Sequence, residues 1–375
     1  MKLKELGVII TGNTPSKNKK EFYNSSDICF FKPSDLEEDK INYLESSEEY
    51  ISENARDVAR ILPKDALLMT CIGTIGKIGV LKKEATCNQQ INAIIPNELV
   101  IPEYLGYLLL SKKEYLKKKA NAPVVPIINK TDFSSIDVNI CDIEEQKNIV
   151  VKLNKINELI LLRKKEIEKC NGLIKSQFVE MFGTVKNNKY NYEIKSLSDV
   201  FELIKDGTHS TPTYTDDKEN GVKFLSAKDV TTGKINWSDI KYIPTELHEV
   251  LSKRIKPQKG DILLCKNGTT GICAKVDVDE LFDIYVSLAL LRPNLGYNID
   301  YLVEAINSFD TKKQFDSSLK GIGVPNLHLG EIAKAKILVP PLELQNRFAQ
   351  IVEQIDKQKF VNLKIFQLLG KKLKK

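Results

Sequence analysis

Few residues of this chain are arranged for bond chemistry. Gly73-Thr74-Ile75-Gly76-Lys77-Ile78 superficially resembles a phosphate loop. However, Cys71-Ile72 and Ile78 stand where that loop needs glycine and a hydroxyl residue. No G-x-G-x-x-G follows a strand pattern to hold a dinucleotide, and there is no G-x-S-x-G elbow or metal-ligand spacing. Glu193-Ile194-Lys195 echoes part of a nuclease site, but no Pro-Asp precedes it at useful spacing, so it reads as a structural ion pair. An Asn-Pro-Pro-aromatic tetrapeptide, as in an adenine methyltransferase, is also missing. The sequence predicts a chain that makes and breaks no bonds, with no catalytic residues, no metal and no cofactor of its own.

What the chain offers instead is hydrogen bonding, in paired loops. Thr11-Gly12-Asn13-Thr14, with Lys17 beyond, and Gly207-Thr208-His209-Ser210-Thr211 are rich in hydroxyls, glycine and backbone donors. Such loops suit the phosphates or groove edges of a nucleic acid. The loops of Gly73, Thr74 and Lys77 and of Lys266, Asn267, Gly268, Thr269 and Thr270 add glycines that permit close backbone approach, with Lys77 and Lys266 as point charges. Asn88, Gln89, Gln90, Asn129, His209, Lys228, Asn267 and Asn326 can discriminate base edges, amides pairing with adenine and lysine with guanine. Lys32 and Lys228 lie in matching segments. Any one of these is equally well a turn residue serving its own backbone. The doubled occurrence carries the binding reading.

The elements that position these loops are themselves doubled. Phe30-Phe31-Lys32-Pro33-Ser34-Asp35-Leu36 answers Phe224-Leu225-Ser226-Ala227-Lys228-Asp229-Val230, and Gly73-Thr74-Ile75-Gly76 answers Gly268-Thr269-Thr270-Gly271. The offset moves only from 194 at Leu3/Leu197 to 199 at Gln146/Gln345. Each half reads as a mixed α/β domain with a predominantly antiparallel sheet, its strands near 27–31, 66–71, 79–82, 91–95, 261–266, 271–276 and 286–291. Helices are expected over 102–119 and 300–314, and a linker strand near 192–195.

A long proline-free helix closes each half. Ile149, Leu153, Ile156, Ile160, Ile167 and Ile174 mark a seam at steps of three and four in the first, with Arg163 and Cys170 in its gaps. About forty residues make a rod of roughly 60 Å that needs a partner helix. The second supplies one through Leu344, Phe348, Ile351, Ile355, Ile365 and Leu369, with Gln358 and Asn362 in two core slots. The expected architecture is α+β. Globular domains at 1–142 and 184–341 are separated by antiparallel coiled-coil helices at 143–183 and 342–375, related by a pseudo-twofold.

Composition sets bounds on the class. The 375 residues suffice for two or three cores, and no apolar run is long enough to span a bilayer. The opening MKLKELGVIITGNTP carries charge where a signal peptide is apolar, so a cytoplasmic protein is expected. Seven cysteines form no C-x-x-C pair and read as reduced, packed thiols. The net charge of +6 permits a polyanionic partner without requiring one, and the lysine clusters 17–20, 112–119 and 371–375 read equally as solvated faces.

With these pieces in order, the chain resembles the specificity subunits of type I DNA restriction–modification systems. The resemblance rests on Gly260-Asp261-Ile262-Leu263-Leu264, Asn267-Gly268-Thr269-Thr270-Gly271, Leu338-Val339-Pro340-Pro341-Leu342-Glu343-Leu344-Gln345 and the doubled layout. It departs in the first half, where Lys64-Asp65-Ala66 lacks the glycine and 138–142 lacks the Pro-Pro. The resemblance implies two target recognition domains, each reading one half of an asymmetric bipartite site in double-stranded DNA. It also implies helices that set the spacer and dock two methyltransferase subunits, with restriction subunits in some assemblies. S-adenosylmethionine, and ATP with magnesium where a nuclease subunit is present, would belong to those partners. The competing expectation is a coiled-coil scaffold without DNA readout.

Overall fold

The computed structural model of the chain describes residues 1–120, 125–230, 233–319 and 325–373. The lysine cluster 371–375 lies outside the described side chains. Two compact units emerge, one of Met1–Arg163 with Ile365–Lys375 and one of Lys164–Lys364.

In the first unit the strands are β1 (Gly7–Thr11), β2 (Ile28–Phe31), β3 (Ile41–Leu44), β4 (Glu49–Ile51), β5 (Leu67–Thr70), β6 (Ile78–Leu81), β7 (Ala85–Cys87) and β8 (Ile91–Pro96). They form a sheet of order β1-β8-β5-β6-β3 and a smaller one of order β4-β2-β7. The segments Ile28–Phe31, Leu67–Thr70 and Ile78–Leu81 are buried at every position. Their unbroken apolar runs therefore reflect strands covered on both faces. Helices α1 (Pro102–Ser111), α2 (Lys113–Lys119) and α3 (Lys130–Ser134) follow, and α4 (Ile143–Phe182) begins in this unit.

The second unit repeats the plan. It holds β9 (Glu193–Ser196), α5 (Leu197–Val200), β10 (Phe201–Asp206), β11 (Val222–Leu225), β12 (Lys241–Ile243), α6 (Thr245–Leu251), β13 (Ile262–Cys265), β14 (Cys273–Lys275), β15 (Phe282–Ile284) and β16 (Leu288–Pro293). Then come α7 (Ile299–Asn307), α8 (Phe309–Ser317), α9 (Leu329–Lys334), β17 (Lys336–Val339) and α10 (Leu342–Leu373). The order β10-β16-β13-β14 matches β1-β8-β5-β6, and β12-β11-β15 matches β4-β2-β7. The parallel pairs β2 with β7 and β11 with β15 correspond, whereas the parallel pair β3 with β6 has no counterpart among the described residues of the second unit. The duplication expected from residue offsets is thus a duplication of topology.

Both expected mid-domain helices are broken. The first breaks at Lys112, which separates α1 from α2, and the second at Ser308, whose side chain accepts from the Thr311 N–H and starts α8 afresh. Each long helix is pinned at its start by a buried glutamine. Gln146 accepts from Ile101 N–H and donates to the carbonyls of Leu99 and Cys141. Gln345 accepts from Asn298 N–H and donates to Pro340 O.

The narrow seam holds only in part. In the second unit Cys170, Ile174, Phe178 and Phe182 of α4 join Phe348, Val352 and Ile355 of α10 in one core with Tyr301. The rings of Phe178, Phe182, Tyr301 and Phe348 lie 4.9–5.6 Å apart, mostly edge to face. Phe178 meets Phe348 while Asn171 meets Lys359, so the two helices run antiparallel within this unit. Here α10 faces a domain core as well as α4, and its apolar face is wider than a two-helix seam. Gln358 accordingly points outward, and Lys359 takes the inner position, donating to Asn171. Asn362 is buried as expected. Ile351 packs on the core edge, and Ile156, Ile160, Arg163, Ile167, Ile365 and Leu369 are half-buried. In the first unit Ile149 and Leu153 pack on the core that contains Leu105 and Phe133.

Candidate nucleic-acid interface

The paired loops leave corresponding strands. In the first unit β1 ends at Thr11, whose hydroxyl donates to Asn92 Oδ1 at 2.7 Å. Gly12 then crosses so close to the chain that a Cβ would lie 2.2 Å from Asn88 O, and its N–H binds Ile91 O. The N–H of Asn13 binds Cys87 O, while its side chain donates to Val58 O and accepts from Arg60 N–H. The Thr14 hydroxyl donates to Gln89 Oε1, and Lys17 is exposed. The second unit builds the same corner at Gly207, where a Cβ would meet Ile284 O at 2.0 Å and Thr208 N–H binds that same oxygen. Thr208 Oγ1 accepts from Ser210 N–H, and His209, Ser210 and Thr211 are exposed.

Several residues expected to face a ligand are turned to the protein instead. Asn88 is buried and paired with Gln90 through both amide atoms. Lys77 Nζ donates to Pro33 O, and Lys32 pairs with Glu49 and lies over the Phe30 ring. Asn129 caps α3 through Asp132 N–H. Lys266, expected as a point charge, is 8% exposed and bonded to Asp206, itself 6% exposed. Burial pushes the Asp206 carboxyl up, but the hydrogen bond and charge of Lys266, with His209 and Arg254, hold it below the ordinary carboxylate range. Thr270 is also buried. Besides Lys17, His209, Ser210 and Thr211, the residues left outward are Gln89, Gly73, Thr74, Gly268, Thr269 and the exposed Lys228 beside Asp229. Gly73 and Gly268 share φ near +75°, a conformation only glycine adopts without strain, and face open space.

Reading by loop composition missed two side chains. Arg60 and Arg254 are exposed and stand at these corners, with Arg60 Nη1 donating to Thr11 O at 2.6 Å and Arg254 Nη1 to Gly207 O at 2.9 Å. The signal was present, since Arg60-Ile61-Leu62-Pro63 stands 194 residues before Arg254-Ile255-Lys256-Pro257.

The corners match in backbone and differ in chemistry. Thr11 and Asp206 are both the last residues of edge strands, paired with Asn92 and Ala289. Where Ile72 bridges Ile127 in the first unit, Asn267 bridges Asn326 in the second. The Oδ1 atoms of Asn267 and Asn326 are buried with no hydrogen-bond partner. Among the described residues no cluster of three or more potential ligands for a metal ion is found, and no helix is long and apolar enough to cross a membrane. All seven cysteines are free, and burial raises the thiols of Cys71, Cys87 and Cys265 to about 12.

Comparison with known proteins places this arrangement. The MjaIX type I restriction enzyme specificity subunit of Methanocaldococcus jannaschii is 26% identical over 395 aligned positions, covering 99% of this chain and 89% of that protein. A solved chain of a type I R-M system covers 100% of this chain and 95% of itself at 18% identity, with a TM-score of 0.63. The S subunit of the M. genitalium type I restriction–modification system covers 100% and 94% at 15% identity, with a TM-score of 0.55. These two structures share the fold. The family model for the type I restriction modification DNA specificity domain matches residues 1–171 and again 189–365. Matched twice, in order and over nearly its whole length, the chain belongs to the type I restriction–modification DNA specificity family, whose members recognise DNA without catalysing the reaction.

Proposed function

We propose that each of the two recognition domains reads one half of an asymmetric, bipartite site in double-stranded DNA, with the long helices fixing the unread spacer. The observation that carries this reading is the pair of corners with one backbone plan at Gly12 and Gly207 and different side chains on the loops they launch, Asn13-Thr14 in one and Thr208-His209-Ser210-Thr211 in the other. A shared frame presents each domain to DNA in the same way, and the differing loop side chains give each a different sequence preference. The outward residues Gln89, Thr74, Lys228, His209, Ser210, Thr211 and Thr269 are the proposed direct contacts.

The helices are proposed to dock two methyltransferase subunits of the restriction–modification complex, and restriction subunits where these occur. Val151, Leu159, Leu161 and Leu162 on α4 are exposed in the first unit, as are Leu173, Phe360 and Val361 in the second. Exposed apolar rows of this kind support a protein partner. S-adenosylmethionine, and ATP with magnesium, would reside in those partners, and the assembly would work in the cytoplasm.

Replacing residues 1–141 with the domain of another family member, then mapping methylated adenines in cells carrying the complex, tests the reading. One half-site is expected to change and the other to persist; a change in both would show that the domains do not read independently. Inserting four residues near Ile160 adds about 6 Å of helix, so the spacer should lengthen by one or two base pairs with both half-sites kept.

A further inference from the structure

We propose that Arg60 and Arg254 are matched phosphate anchors, one at the mouth of each recognition loop. This rests on the DNA reading above and adds residues to it. Four observations carry it. Both arginines follow the repeat offset. Both are exposed, Arg254 at 49% of its side chain. Each donates one Nη1–H to a backbone carbonyl where the loop leaves its strand, which fixes the guanidinium at that corner. A planar guanidinium held by one edge keeps further donors for a phosphodiester.

Charge supplies the fourth observation. No carboxylate lies within ion-pair distance of Arg60 among the described residues, so the first corner carries one uncompensated cation. Arg254 does touch Asp206 Oδ1 at 2.8 Å, but the other oxygen of Asp206 holds Lys266 at 2.8 Å. Lys266 and Asp206 cancel, standing where the first domain has the neutral Cys71 and Thr11. The second corner therefore also retains a net charge of about one, carried by its arginine. Two different interiors deliver the same electrostatic outcome to the same loop.

The test titrates duplex DNA with the full chain, assembled with its partner subunits, over a range of salt concentrations. Arg60→Gln and Arg254→Gln should each make the slope of log K against log salt shallower by about 1, weakening cognate and unrelated duplexes alike. Arg60→Lys and Arg254→Lys keep the charge and should keep the slope. The double substitution Asp206→Thr with Lys266→Cys, which copies the first domain, should leave the slope unchanged. Glutamine variants that fold yet keep the wild-type slope would overturn the proposal, because a purely structural clamp loses affinity without releasing fewer counterions. If glutamine unfolds the corner, the lysine variants decide: a folded lysine variant that binds cognate and unrelated duplexes more weakly by a common factor at unchanged slope supports it, and one with wild-type affinity for both, or one that loses a unit of slope, overturns it. Wild-type complex with no salt-sensitive retention of duplex DNA would sink the DNA reading itself, a different result from unchanged slopes in the variants alone.

Discussion

Lys266 Nζ lies 2.8 Å from Asp206 Oδ2, and both side chains are more than nine-tenths buried. Lys266→Met takes away the cation on Oδ2 while Arg254 still pairs with Oδ1 at 2.8 Å. It is expected to destabilise the second domain by about 1–3 kcal/mol, whereas replacing both by Thr and Cys should be nearly neutral. Because the folded-state pKa of Asp206 is depressed, its contribution is present above the ordinary carboxylate pKa and lost as pH falls through the lower folded value. Melting temperatures of the two variants followed from pH 7 into the acid range would check both statements.

The glutamines at the helix starts make a second prediction. Gln146→Ala leaves the Ile101 N–H and the carbonyls of Leu99 and Cys141 without their partner, and Gln345→Ala does the same to Asn298 N–H and Pro340 O. Each should cost about 2–4 kcal/mol. Hydrogen exchange should rise first at the N-terminal turns of α4 and α10 respectively, and protection equal to wild type there would refute the pinning role.

Asn267 and Asn326 hold two buried carbonyl oxygens without donors, in the place where the first domain has Ile72 and Ile127. The double substitution Asn267→Ile with Asn326→Ile should stabilise the second domain by roughly 2 kcal/mol, since unmet polar groups leave and apolar ones enter. Denaturant titration measures this. A lower midpoint would mean that water already satisfies the amides.

Glycines separate into two kinds. Gly12→Ala and Gly207→Ala drive a Cβ into backbone oxygens at 2.2 and 2.0 Å, and should cost about 3 kcal/mol or more. Gly73→Ala and Gly268→Ala meet open space, and only their positive φ is strained, a cost of about 1–2 kcal/mol. Equal losses at all four would contradict the close approach at Gly12 and Gly207.

Much of the fold could be read in the sequence because its signals are periodic or repeated. Unbroken apolar runs such as Ile262–Cys265 are buried strands, and the two long helices follow from seam spacing and the absence of proline. β1 and β10 were hidden because Thr11 and Asp206 merge into polar loops. The break at Ser308 was hidden because the apolar period runs through a residue that caps rather than continues. The site was less legible for a physical reason. A polar side chain does not declare whether its partner is a base or its own domain, and Asn13, Asn88 and Lys266 chose the latter. Arg60 and Arg254 lie about fifty residues from the loops they grip, so composition near the loops did not contain them.

The boundaries of the compact units fall inside the long helices, at Arg163/Lys164 and Lys364/Ile365, while the repeat ends elsewhere. A fragment cut at the repeat boundary would take with it part of its neighbour's interior, since Cys170, Ile174, Phe178 and Phe182 come from the first half and line the core of the second unit. A new specificity is therefore best acquired by exchanging residues 1–142 or 184–341 between intact helices, much as a key is recut at its teeth and not at its shaft. A gene split at the midpoint would yield two products that each need the other to hide their apolar surfaces.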